Sequence, residues 1–88
     1  IYMQYFSSRK FDKQFSKLSQ KIKSQTMERI QIFIENPFHP ILNNHSIHHP
    51  YGGCQSINIT GDIRIIYEIL EDGIAYFLEI GSHNELYK

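Results

Sequence analysis

The tripeptide Glu71-Asp72-Gly73 separates two apolar, β-branched runs, residues 63–70 and 74–80, and limits the fold more than any other stretch of the chain. Asp-Gly accepts the positive φ angles that tight hairpin turns require, so the two runs should lie antiparallel and side by side. Just upstream, Ile57 and Ile59 alternate with Ser56, Asn58 and Thr60, the period-two pattern of a strand with one buried face. Gly61-Asp62 turns that strand into the next one. A three-stranded meander is therefore expected from residue 54 to residue 80, stopped by Gly81, with 82–88 as a short polar and aromatic tail.

The first half of the chain has a different period. Residues 2–6 are short and aromatic, a plausible first strand, and Ser7 or Ser8 can then cap a helix with its hydroxyl. Phe11, Phe15, Leu18 and Ile22 follow at spacings of four, three and four, one apolar stripe of a helix. Met27, Ile30 and Ile34, widened by Phe33, make a second stripe that must end before Pro37. The pattern alone leaves open whether the two helices are separate or one helix kinked near Ser19. Residues 36–53 hold all three prolines, Asn43-Asn44, four histidines and Gly52-Gly53, and read as a loop. The expected fold is α+β in the order β-α-α-β-β-β, as a single domain over residues 1–88. Both helices pack on one face of a mainly antiparallel four-stranded sheet.

Charge is balanced in total and divided along the chain. Residues 1–30 carry seven Lys/Arg and two Asp/Glu, whereas residues 31–88 carry two and seven. The split suits a basic helical face for an anionic partner, or simply a solvated helix surface. Cys54 is the only cysteine, which excludes an internal disulfide and a cysteine zinc cage and suits a reducing, cytoplasmic setting. No apolar run approaches the ~18–20 residues needed to span a bilayer, and residues 1–6 lack the basic flank of a signal peptide, so no membrane is expected.

Histidine is the side chain that exchanges protons near neutral pH without a large environmental shift. His45 lies before the meander, Asp62 in its first turn and His83 just past its last strand, where loops on a rigid sheet commonly carry chemistry. Two imidazoles could serve as base and acid in transesterification at a phosphodiester. Arg64 could clamp the phosphate in forked geometry, and Tyr87 could stack on a base. The plainer reading of each is a surface residue with no catalytic role. His39, His45, His48 and His49 cluster without thiolates and without a helical His-x-x-x-His pair, so no metal site is expected. Cys54 reads as a packed thiol, and Tyr51, Tyr67 and Phe77 as core or sheet aromatics.

The run Gly53-Cys54-Gln55-Ser56-Ile57-Asn58-Ile59-Thr60-Gly61-Asp62-Ile63-Arg64-Ile65-Ile66-Tyr67 resembles the central strand pair of the RelE/ParE toxin superfamily. The ending Glu79-Ile80-Gly81-Ser82-His83-Asn84-Glu85-Leu86-Tyr87 resembles the close of its YafQ-like branch. Phe11-Asp12-Lys13-Gln14-Phe15 and Asn36-Pro37 fit its helical opening. The resemblance implies the toxin of a type II toxin–antitoxin pair. Such a toxin cleaves messenger RNA on the ribosome by attack of the ribose 2′-hydroxyl, with no metal or other cofactor. Carried over by position, it implies catalytic roles for His45, Asp62, His83 and Tyr87 and a phosphate contact for Arg64. His48, His49 and Gln55 are expected as further substrate-binding residues. The implied partners are a cognate antitoxin in a hetero-oligomer, messenger RNA and the ribosome.

Some positions depart from the family pattern. Gln55 stands where many relatives carry Arg, Ser56 and Asn58 replace an acidic residue and a histidine, and His48-His49-Pro50 replaces a Leu-Lys-Gly-like stretch. Two alternatives follow: a ParE-like toxin that poisons DNA gyrase without cutting RNA, and a weakened toxin fold that mainly binds its antitoxin. The Gly-Ser-His ending speaks against the gyrase reading.

Overall fold

Residues 2–49 and 52–87 are described by a computed structural model. The chain opens with β1 (Gln4–Ser7), followed by α1 (Arg9–Ser16) and α2 (Gln20–Glu35). Ser8 is the residue that caps α1: its Oγ accepts the Phe11 N–H at 2.9 Å and donates to Leu78 O at 2.7 Å, tying the helix start to the sheet. Ser19, extended at ψ 158°, caps α2 by accepting the Ile22 N–H, so the hairpin is two helices and not one kinked helix. Among the described residues no helix is long and apolar enough to cross a membrane.

A 3₁₀ turn (Pro40–Leu42) leads into β2 (His45–Ile47), then β3 (Cys54–Asn58), β4 (Ile63–Glu71), β5 (Ile74–Ser82) and α3 (His83–Leu86). The strand order is β1-β5-β4-β3-β2, with β1 parallel to β5 and every other pair antiparallel. The α+β class and the helix-on-sheet arrangement are as expected, and Gly73 makes the hairpin turn with φ +80°. The strand count is corrected from four to five. Three residues of the histidine-rich segment, too few to register a period, pair with Cys54, Gln55 and Ser56 and become an edge strand. Gly81 does not stop β5, because it pairs with Arg64 inside the sheet.

The helices cover one face. Phe11, Ile30 and Phe33 are buried against Ile57, Ile65, Tyr67 and Phe77, with Phe33 edge-on to both Tyr67 and Phe77 at 5.0 and 5.6 Å. Each such ring contributes about 1.5–3 kcal/mol by leaving water. The inward stripe of α2 is Thr26, Ile30 and Phe33, whereas Met27 stays half exposed. Thr26 tolerates full burial because its hydroxyl donates to Ile22 O at 2.7 Å.

The tail is not irregular either. Ser82 Oγ accepts the Glu85 N–H and the Glu85 carboxylate accepts the Ser82 N–H, a reciprocal cap that starts α3. This helix folds back on the second face of the sheet, where Leu86 is buried with Ile47, Cys54 and Ile66. The second face is therefore covered in part, and Ser56, expected on an open face, is fully buried.

Candidate active site

Strand register decides which side chains can meet, since directly paired residues share a face. His45 lies opposite Ser56, and Ser56 opposite Ile66. Asn58 lies opposite Arg64, and Arg64 opposite Gly81. Ile66 packs beneath α3, so His45, Ser56, Asn58 and Arg64 all belong to the α3 face. Gln55 pairs with Tyr67, whose ring is in the helix-side core, and so projects to the opposite face from His45 and Arg64. Register separates it from the other candidates. His48 and His49 follow β2 beyond the Ile47–Cys54 pair, at the far end of β3 from Asn58 and Arg64. Four residues of strand put them on the order of 13 Å from that end. Pro50 and Tyr51 lie outside the described residues.

Asp62 and His83 are brought together by the backbone. The His83 N–H donates to Asp62 O at 3.1 Å and to Asp62 Oδ1 at 3.4 Å, which ties the β3–β4 turn to the start of α3. Thr60 shapes that turn, its Oγ1 accepting the N–H groups of Asp62 and Ile63. One turn of α3 then stacks the Tyr87 ring against the His83 ring, centroids 4.6 Å apart. Arg64 Nη1 donates to Thr60 O at 3.1 Å and Gly61 O at 3.0 Å.

His45 is exposed on the edge strand, with Nδ1 2.7 Å from Asn43 O. A carbonyl can only accept, so Nδ1 carries the proton and, in the neutral ring, Nε2 keeps its lone pair. Asn43 delivers that carbonyl from a left-handed conformation, φ 46°, which Asn adopts at little cost. The next residue anchors the approach: Asn44 Nδ2 donates to Tyr67 Oη at 2.6 Å and to Pro37 O at 2.8 Å. Burial pushes the Tyr67 phenol above its usual range, partly offset by that bond. Burial also raises the Cys54 thiol, helped by the Glu68 carboxylate, so Cys54 is a packed, unactivated thiol.

The site is thus a strip on one sheet face. His45 stands at one border, and Asp62, His83 and Tyr87 form the other. Ser56, Asn58 and Arg64 lie between. Ser56 Oγ and Asn58 Oδ1 are buried with no hydrogen-bond partner among the described residues. No three His, Cys, Asp or Glu side chains among the described residues converge to hold a metal ion. Two features were missed from sequence: the edge strand that carries His45, and the short helix that carries His83. The second had a readable signal in Ser82-x-x-Glu85, a capping-box spacing.

A sequence model of the ParE toxin of type II toxin–antitoxin systems (parDE) matches residues 6–87. Among solved structures, YafQ from E. coli strain BL21(DE3) superposes with a TM-score of 0.78 at 22% identity, covering 98% of this chain and 99% of that one. The RelBE2 toxin–antitoxin complex of Mycobacterium tuberculosis gives 0.77 at 15% identity over 94% and 100%. A YoeB/ParE toxin from Agrobacterium tumefaciens gives 0.75 at 14% identity over 92% and 99%. A search of curated proteins returns no match.

Proposed function

The chain belongs to the ParE toxin family of type II toxin–antitoxin systems, and on that premise we propose that it is an endoribonuclease that cuts messenger RNA on the ribosome. The observation that carries this reading is His45, an exposed ring whose Nδ1 is held by Asn43 O, which leaves the Nε2 lone pair to act as a base. It lies on the sheet face that α3 partly covers, and His83 opens α3. An RNA phosphodiester lying along the strip would have one imidazole on each side and the Arg64 guanidinium near its phosphorus.

His45 Nε2 takes the proton of the 2′-hydroxyl, which attacks the adjacent phosphorus. His83 in its protonated form gives a proton to the departing 5′-oxygen, leaving a 2′,3′-cyclic phosphate and a free 5′-hydroxyl. Arg64 offsets the charge that builds on the phosphorane oxygens. Asp62 acts on the position of His83 through the N–H it accepts. Tyr87 stacks on the His83 ring and limits its rotation. His48 and His49 would touch RNA only beyond the scissile link, and Gln55 has no part in this arrangement.

The partner we propose is a cognate antitoxin, as in the E. coli DinJ–YafQ complex, whose toxin this chain matches at a TM-score of 0.76. Ribosomes place the action in the cytoplasm. The test combines purified protein with programmed ribosomes and maps the cleavage ends. Wild type should leave cyclic phosphates, and His83→Gln should cut about 10²–10⁴-fold more slowly with its fold intact. Intact mRNA together with blocked gyrase supercoiling would replace this reading with the gyrase one.

A further inference from the structure

Arg64 and Asn58 are direct cross-strand partners on the α3 face, yet neither side chain uses the other. Arg64 curls back over its own turn, where Nη1 alone serves Thr60 O, Gly61 O and, at a longer 3.5 Å, Ile63 O. A single nitrogen with two protons is shared among these carbonyls, while Nε and Nη2 donate to nothing among the described residues. Across the ladder, Asn58 Oδ1 is buried and has no donor among the described residues. Buried acceptors are rarely left so, and the directly opposite residue holds unused N–H groups. On the other side of Arg64, Gly81 has no side chain, and the Glu85 carboxylate that lies over it accepts the Ser82 N–H.

We propose that Asn58 is a positioning residue that seats Arg64 when a phosphodiester is bound. The phosphate draws the guanidinium off the turn, because a forked, charge-assisted contact is stronger than shared bonds to neutral carbonyls. The two Nη groups then face the phosphate oxygens and Nε–H is donated to Asn58 Oδ1, which sets the plane of the fork. The ligand-free position over the turn is a parked one. This inference rests on the phosphodiester reading of the site, so its test follows Arg64 itself as well as cleavage.

The probe is a 2′-O-methyl RNA trinucleotide, which lacks the attacking hydroxyl, titrated into ¹⁵N-labelled protein while the Arg64 Nε–Hε resonance is followed. In wild type that resonance shifts and its exchange with water slows at saturation. Asn58→Leu keeps the bulk and loses the acceptor: it binds about tenfold more weakly and its Nε–Hε exchange stays fast. Asn58→Asp, which keeps an acceptor, recovers the slow exchange. The inference is overturned if wild type does not bind the trinucleotide, if its Arg64 signal is unmoved, or if Asn58→Leu matches wild type in affinity and exchange. Arg64 moving as described without any RNA cleavage supports the inference and removes only the cleavage reading. Cleavage with Arg64 still on its turn does the reverse.

Discussion

Asp62 holds the backbone N–H of His83 from two oxygens at once, its own carbonyl and its carboxylate, across 21 residues of chain. The carbonyl bond is the shorter and does not depend on the side chain. Asp62→Ala should therefore keep α3 in place and leave the unfolding midpoint in urea essentially unchanged. Cleavage should still fall, because the second acceptor that positions His83 is gone. A large loss of stability in this variant would show that the carboxylate, and not the main chain, carries the tie.

The orientation of His45 depends on a residue that touches no substrate. Asn43 presents its carbonyl from the left-handed region, which a β-branched residue enters at a cost of roughly 1–2 kcal/mol. Asn43→Val should destabilise the protein by about that much and slow cleavage with every candidate side chain present. Asn43→Gly should preserve both. Urea melts and single-turnover cleavage of the two variants separate the effects.

Ser56 holds its position with a hydroxyl that has no partner among the described residues. Removing an unsatisfied buried group relieves its desolvation cost, so Ser56→Ala should be neutral or stabilising by up to about 1 kcal/mol. Ser56→Asp should destabilise strongly, since a carboxylate there would be buried without a counter-charge. Chemical denaturation at neutral pH distinguishes the two.

Tyr67 and Cys54 both resist ionisation in the folded chain. Their neutral forms dominate in both states below the unfolded values, ~8.5 for the thiol and ~10 for the phenol, so stability is unaffected there. Above those values the unfolded chain releases protons that the folded chain retains, and stability falls as pH rises through the raised folded values. Tyr67→Phe should flatten this alkaline loss between pH 9.5 and 11, measured by urea midpoints. At pH 8 the same variant should cost about 1 kcal/mol, the bond from Asn44 being lost.

Local pattern alone determined the helical stripes, the Asp72-Gly73 hairpin, the meander and the α+β class, because side-chain period and turn chemistry act within a few residues. It also marked His45, Asp62, Arg64 and His83 as the residues whose types suit proton transfer at a phosphate. Their arrangement depended on pairings that no local pattern encodes. A three-residue edge strand brought His45 onto the α3 face, and strand parity sent Gln55 to the other one. The short helix at the end was readable in its Ser82–Glu85 cap, but not the face it would cover: that was decided by the apolar surface of Ile47, Cys54 and Ile66, which Leu86 buries. Long-range burial chose the face, and with it which of the marked residues share one.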